Sequence, residues 1–308
     1  MKLYINNAKE DWIVDRFKKE WDIYNFKSLL FPPVNKKGII WLIAPWKWNK
    51  FPNKILETNK VICTIHHIDD SKFSEVQKVE FFKRDKYIDK YHVISDETFN
   101  KIKNLSNKPV EKIPFWANQY IWHELENKSL IRKKYNLKED DFLIGSFQRD
   151  TEGKDLKSPK LSKGPDRFLK IVHDLYKNNK NIKIILAGKR RQYLIEKLSD
   201  LKIEFRYFEM LNFSQLNELY NILNLYIVAS RVEGGPQSVI ESALCKTPII
   251  STNVGIVGEI LSKESIFDMT NFLRAEPNVT FAYNNVLKFT IPQGFDKFNK
   301  MFKNLYEN

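Results

Sequence analysis

Two glutamates eight positions apart, Glu233 and Glu241, flank the turn Gly234-Gly235-Pro236. The Gly-Gly pair lets the backbone approach a ligand closely. Free N–H groups at the start of a following helix then make an anion site. Pro236 suits the opening of such a helix, because its missing N–H would have no partner there. A carboxylate beside an anion is unfavourable unless it is aimed at something else. Sugar and ribose hydroxyls suit both glutamates as donors. A turn that merely joins strand to helix, and a solvated glutamate, are the plainer readings. Two glutamates around one glycine turn are harder to dismiss.

The spacing of apolar residues says which elements hold these groups. Short apolar runs read as strands at Leu3–Ile5, Gly38–Ile43, Lys60–Ile65, Lys90–Ile94 and Val110–Ile113. A second series reads Phe142–Phe147, Ile182–Ala187, Ile203–Phe208, Leu225–Ala229 and Pro248–Ser251. Helical spacing falls at Asp11–Tyr24, Asp166–Asn178, Gln192–Leu198, Ser214–Leu223, Gln237–Cys245 and Phe295–Tyr306. Strands alternating with helices predict an α/β fold with parallel sheets. The break near residues 115–140 predicts two such domains, 1–125 and 126–293. Parallel sheets bind ligands beyond the carboxyl ends of their strands. Ser230 to Gly235 follow one such end.

Composition bounds the answer further. The 308 residues are 43% hydrophobic and 14% aromatic, enough for packed cores and not the composition of a disordered chain. The formal charge is +13, which favours anionic partners such as nucleotides, nucleic acid or an anionic membrane face. The charge is spread along the chain with no basic tail, which argues against nucleic acid. Cys63 and Cys245 stand far apart in apolar runs, so no metal spacing or disulfide framework is implied. The start, MKLYINNAKEDW, lacks the apolar stretch of a signal peptide. The longest apolar run, Gly38–Trp46, is about half the length that spans a bilayer. A soluble, cytoplasmic protein is expected, with peripheral contact at the inner face of a membrane compatible. Eight of the ten glycines lie between Gly145 and Gly258.

The segment from Glu233 through Glu241 to Pro248 and Gly255 resembles family-4 glycosyltransferases, with their Glu-x7-Glu pattern. The resemblance continues into Gly258-Glu259-Ile260 and upstream into Asn224–Ser230. The helix Gln215–Leu223 is similar to the family's tyrosine-bearing helix. Ile144-Gly145-Ser146-Phe147-Gln148-Arg149 resembles its arginine-bearing strand and loop, and Lys163-Gly164 its Lys-Gly. Residues 140–262 carry the likeness. It implies a GT-B fold, two Rossmann-like domains facing across a cleft, with a final helix over 294–308 packing back on the first. It implies that Arg149 and Lys163 meet the diphosphate of a nucleotide sugar, that Glu233 holds the transferred sugar and Glu241 the ribose. Met210 and Leu211 would line the base pocket. Gly145, Ser230, Gly234, Gly235, Pro236, Gln237 and Ser238 would complete the donor site.

The first domain matches less fully. Val61–His67 resembles the family's strand ending in a histidine that faces the cleft, which makes His66 and His67 catalytic candidates. Strand alternation allows only one of them to point inward. His-His-x-Asp-Asp, through Asp69 and Asp70, also looks like a metal cluster, but enzymes of this fold generally need no bound metal, and none is expected. In place of the glycine-rich first loop of many relatives stands Asn6-Asn7-Ala8-Lys9-Glu10. Trp46 and Trp48 could stack on a sugar or a base, or simply pack.

The resemblance thus implies a retaining, metal-independent hexosyltransferase. Its donor would be a UDP-, GDP- or ADP-linked sugar, its acceptor a hydroxyl of a glycan, lipid or small molecule, and it would need no separate cofactor. A sugar-nucleotide epimerase, a phosphorylase, and a non-catalytic sugar- or nucleic-acid-binding module are the rivals.

Overall fold

The computed structural model describes residues 1–10, 13–34 and 37–307. The chain divides into two compact units. The first comprises Met1–Trp116 and Ile291–Asn308, the second Ala117–Thr290.

In the first unit, β1 (Leu3–Ile5), β2 (Ile39–Leu42), β3 (Lys60–Ile65), β4 (Lys90–Val93) and β5 (Val110–Lys112) form one parallel sheet in sequential order. Both faces are covered, so Ile39, Ile40, Trp41 and Leu42 are all buried rather than alternating. Ile40, Leu42, Val61 and Cys63 pack with Phe81 and Ile102 on one face. Trp41 faces the other way, against Trp21, Phe115, Phe298 and Phe302. Phe298 and Phe302, with Met301, are the buried residues of the terminal helix Asp296–Glu307, which belongs to this unit. Of the helix expected over Asp11–Tyr24, Ile13–Tyr24 is observed. Asp11 and Trp12 lie outside the described residues.

In the second unit, β6 (Phe142–Ser146), β7 (Ile182–Ala187), β8 (Phe205–Phe208), β9 (Leu225–Val228), β10 (Ile249–Thr252) and β11 (Ile266–Phe267) form a sheet ordered β11-β10-β9-β6-β7-β8. The chain winds one way through β6, β7 and β8 and the other way through β9, β10 and β11. The reversal lies between β6 and β9, which pair in parallel at Ile144↔Leu225 and Gly145↔Tyr226. Loops leaving two strands that diverge in this way open a crevice at their carboxyl ends. The loops after β6 and β9 therefore lie side by side.

The division falls at Trp116/Ala117, not at the expected 125/126. Residues 117–125 are tied to the second unit by side chains of the Phe213–Ile222 helix. Asn217 Oδ1 accepts from the His123 N–H (3.2 Å) and Asn221 Oδ1 from the Leu125 N–H (2.7 Å). Trp122 packs edge-on against Tyr220. The charged stretch read as a break also contains a helix, Lys128–Lys134, whose buried residue is a charged one, Arg132. Arg132 donates to the carbonyls of Lys138, Glu139, Asp141 and Ile222.

Candidate functional site

The site grows from the β6/β9 reversal. After β9 the chain runs through Ser230 to Glu233, whose carboxylate is buried. Glu233 Oε1 accepts from Lys163 Nζ (2.6 Å), Ser230 Oγ (3.1 Å) and Gln148 Nε2 (3.2 Å). Gln148 comes from the β6 loop, and its Oε1 accepts from Ser230 Oγ at 3.2 Å. Lys163 ends a short turn just before the helix Pro165–Asn178. Three chain segments thus converge on one carboxylate.

Local backbone chemistry brings Lys163 there. Gly164 has φ +64, and a Cβ on it would lie 1.9 Å from the Ala229 carbonyl oxygen, so only glycine lets this turn pass against the end of β9. The 230–233 loop is clamped to the same turn. The N–H groups of Arg231 and Val232 donate to Ser162 O (2.8 and 3.2 Å), and the Arg231 guanidinium forks onto Asp166 at 2.7 and 2.6 Å. That fork holds the Asp166 carboxyl below its usual range. Gly255, at φ +58, packs against the Gly234 carbonyl, where a Cβ would come to 2.2 Å.

Glu241 is buried within the Gln237–Leu244 helix, and its Oε2 accepts from the Tyr220 hydroxyl at 3.0 Å. Burial, together with the neighbouring Tyr226 and Glu241, pushes the Tyr220 hydroxyl well above its ordinary range, so Tyr220 stays a donor. Tyr220 and Tyr226 pack around Phe147 with ring centroids 4.8 and 5.3 Å away. The Tyr226 hydroxyl accepts from the Phe147 N–H at 3.1 Å, fixing the start of the β6 loop.

A buried ion pair supports that loop from below. Arg191 is fully buried. It donates to Asp150 Oδ2 (2.7 Å), to the carbonyl oxygens of Ser146 (2.5 Å) and Ala187 (2.9 Å), and to Ser146 Oγ (3.1 Å). The carboxyl ends of β6 and β7 and the residue after Arg149 are thereby locked together.

Gly145 lies inside β6, within the strand expected over Phe142–Phe147, and a Cβ on it would meet Leu223 at 2.2 Å. The exposed Arg149 turns its Nε to the Thr151 carbonyl (2.8 Å), with the Arg190 charge nearby, outside the Lys163–Glu233 cluster. Met210 is exposed and Leu211 half-buried in the turn after β8, at the sheet edge. Pro236, with ψ 107, is still extended and caps the helix rather than beginning it; Gln237 and Ser238 form its first two positions. The sequence assigns no role to Gln148 or Arg191, and marks Tyr220 only as the tyrosine of the helix Gln215–Leu223. Gln148 stands in a motif read for its neighbour Arg149, whereas Arg191 and Asp150 meet only through the fold.

In the first unit, His66 and His67 follow β3. His66 is the one turned inward. Its Nε2 bonds the Ile43 carbonyl (2.8 Å), and its ring stacks on Phe115 with centroids 5.9 Å apart, while His67 is exposed. Asp69 and Asp70 do not converge with them: Asp69 binds Ser71, and Asp70 pairs with Lys101 at 2.9 Å. Among the described residues no group of three His, Cys, Asp or Glu could hold a metal ion. The first loop closes onto the following helix, whose Asp15 accepts from the N–H groups of Ala8, Lys9 and Glu10 at 3.0, 3.2 and 2.9 Å. Trp46 Nε1 donates to Glu10 (3.1 Å), and Trp48 packs beside Tyr87.

Burial pulls His66 down to about 4. It also pulls His92, bonded to Thr64 and Ile113, down to about 3. Both imidazoles stay neutral in the fold and take protons in the unfolded chain below its pKa near 6.5. The unfolded state therefore binds more protons between pH 6.5 and these lowered values, and stability falls as pH drops through that window. Each histidine should cost about 2 kcal/mol by pH 5. Urea unfolding at pH 7 and pH 5 measures this, and equal stabilities would contradict it.

A family model described as "Glycosyl transferases group 1" matches residues 127–288. No curated protein matches by sequence. Among solved structures, sucrose-phosphate synthase from Thermosynechococcus elongatus is 14% identical, with 96% of this chain and 77% of that one covered at a TM-score of 0.70. HepE from Anabaena in complex with UDP-glucose is 12% identical, with 94% and 82% covered at 0.69. The pneumococcal O-GlcNAc transferase GtfA with UDP and GlcNAc is 14% identical, with 95% and 60% covered at 0.62.

Proposed function

Since the chain belongs to the group 1 glycosyl transferases and carries the two parallel-sheet α/β units of the GT-B fold, it is a glycosyltransferase, and we propose that it is a retaining one of family 4. It would move a hexosyl unit from a nucleotide-diphosphate sugar to an acceptor hydroxyl, without a metal or a further cofactor. The observation that carries this reading is the convergence of Lys163, Gln148 and Ser230 on the buried Glu233 at the β6/β9 reversal.

In this proposal Glu233 accepts from hydroxyls of the transferred sugar, and Glu241, oriented by Tyr220, accepts from the ribose. Lys163 and Arg149 meet the diphosphate. The lysine offers a point charge and the arginine a planar fork. Their charge, with the amides at Gly234 and Gly235, would stabilise the departing diphosphate as negative charge builds on it. The leaving diphosphate oxygen would take the acceptor proton on the same face of the sugar, so the anomeric configuration is kept. Met210 and Leu211 are proposed beside the base. His66, neutral and turned inward, is the histidine proposed to act on the sugar or phosphate. HepE and GtfA, by their descriptions in complex with UDP-glucose and with UDP and GlcNAc, make a UDP sugar the first donor to test.

Incubation with UDP-, GDP- and ADP-glucose, with and without simple sugar acceptors, tests this. Nucleoside diphosphate should appear with one donor, faster when an acceptor is present, and NMR should show an α linkage from the α-linked donor. A β-linked product would exclude the retaining route. Sugar interconversion without acceptor would point to an epimerase instead.

A further inference from the structure

We propose that the connection from residue 25 to residue 34 is a docking surface for an anionic lipid bilayer. The proposal rests on the first unit alone and holds whether or not the nucleotide-sugar reading does.

The helix Ile13–Tyr24 returns the chain to the amino end of the sheet, and the connection leads into β2. Its Leu29 N–H donates to the carbonyl of Leu3, the first residue of β1, at 2.7 Å. The segment therefore sits opposite the strand ends where such sheets carry ligands. Its apolar side chains are not part of a substrate pocket at those ends.

Yet Leu30 is 87% exposed, Phe31 78%, Val34 64% and Ile23 59%. Single exposed apolar residues are ordinary; three within five positions of one connection, just after a helix that ends with Ile23 exposed, are not. Nor are they the tips of a slack loop. The Ser28 N–H donates to Asp22 Oδ1 (2.8 Å), Phe26 packs edge-on against Trp21, and the Pro33 carbonyl accepts from Asn59 Nδ2 (2.9 Å). The backbone is stapled on both sides of Leu30 and Phe31, which hold their outward positions as a consequence.

The surrounding charge identifies the occupant. Lys19, Lys27 and Lys37 are exposed. Each acidic residue of the helix already has a partner: Asp15 accepts from the N–H groups of Ala8, Lys9 and Glu10, Glu20 is buried and accepts from Trp116 Nε1 (2.8 Å), and Asp22 pairs with Lys18 (2.9 Å). The patch is thus apolar at its tips and basic at its rim. A second copy would bring the same lysines and another +13 to the contact. A bilayer with anionic headgroups offers negative charge at the rim and hydrocarbon beneath it.

Co-sedimentation of the full chain with vesicles tests this. Equal parts phosphatidylglycerol and phosphatidylcholine should retain the protein, and pure phosphatidylcholine should bind it at least about 10-fold more weakly, roughly 5-fold being expected per lysine. Leu30→Ser with Phe31→Ser should reduce binding to the anionic vesicles at least about 10-fold without lowering Tm. In a separate Phe31→Trp variant, emission should shift to the blue on adding anionic vesicles. Three results would overturn the proposal: no sedimentation with anionic vesicles, wild-type binding by the double serine variant, or a dimer in sedimentation equilibrium that the double variant abolishes while vesicles bind neither protein.

Discussion

Lys163→Ala is expected to lower kcat/KM for sugar transfer roughly 10²–10³-fold, the usual cost of removing one group aimed at developing charge. The side chain ends on the buried Glu233 at 2.6 Å. In the proposed reaction its ammonium also meets the leaving diphosphate, where its effect grows as the bond breaks. Glu233 keeps Gln148 and Ser230 as partners in the variant, so the fold should survive. Lys163→Arg should recover part of the rate, because charge returns in a different shape. Steady-state kinetics with Tm as a control measure both. A Lys163→Ala enzyme with wild-type kcat/KM would remove Lys163 from the chemistry.

The second large effect is on stability. Arg191→Ala should cost about 3–5 kcal/mol, because it leaves Asp150 charged and buried without its partner. It also strips a donor from the carbonyl ends of β6 and β7. At about 2–4 °C per kcal/mol for a domain of this size, the melting temperature should fall by roughly 6–20 °C. Changing Asp150 to Asn in the same chain should recover part of the loss, since the uncompensated charge goes. Thermal unfolding of the two variants reads this directly. An Arg191→Ala protein as stable as the wild type would show that the Arg191–Asp150 pair does not hold the β6 loop.

Much of the fold is legible in the chain because parallel strands buried on both faces leave continuous apolar runs. Ile182–Ala187 and Lys60–Ile65 are read with the bounds observed. What escapes has a physical cause. β11 is two residues long, Ile266–Phe267, too short for any pattern. The helix Glu75–Asp85 buries only Phe81, so it carries almost no apolar period. Lys128–Lys134 buries a charged residue, and charge reads as a break. The boundary near 117 is set by Asn217 and Asn221 reaching about a hundred positions along the chain, which no local signal announces.

The candidate site divides in the same way. Ser230 to Glu241 are contiguous, and their glycines and carboxylates stand out in a chain with ten glycines. Lys163 is one of 51 basic residues and is marked only by the glycine after it. Gln148 is an unremarkable amide until the β6/β9 pairing brings it to Glu233. Tyr220 is a buried hydroxyl that matters through the carboxylate it touches, 21 positions away.

The central claim is that a nucleotide sugar is held where the loops of β6 and β9 lie together. Thermal shift against UDP-, GDP- and ADP-glucose tests it most directly, since a ligand at 100 times its Kd adds about 2.7 kcal/mol to stability. One of the three should raise the melting temperature of the wild type, with the rise lost in Glu233→Gln and reduced in Lys163→Ala. No rise with any of them, or equal rises in the wild type and both variants, would contradict the account.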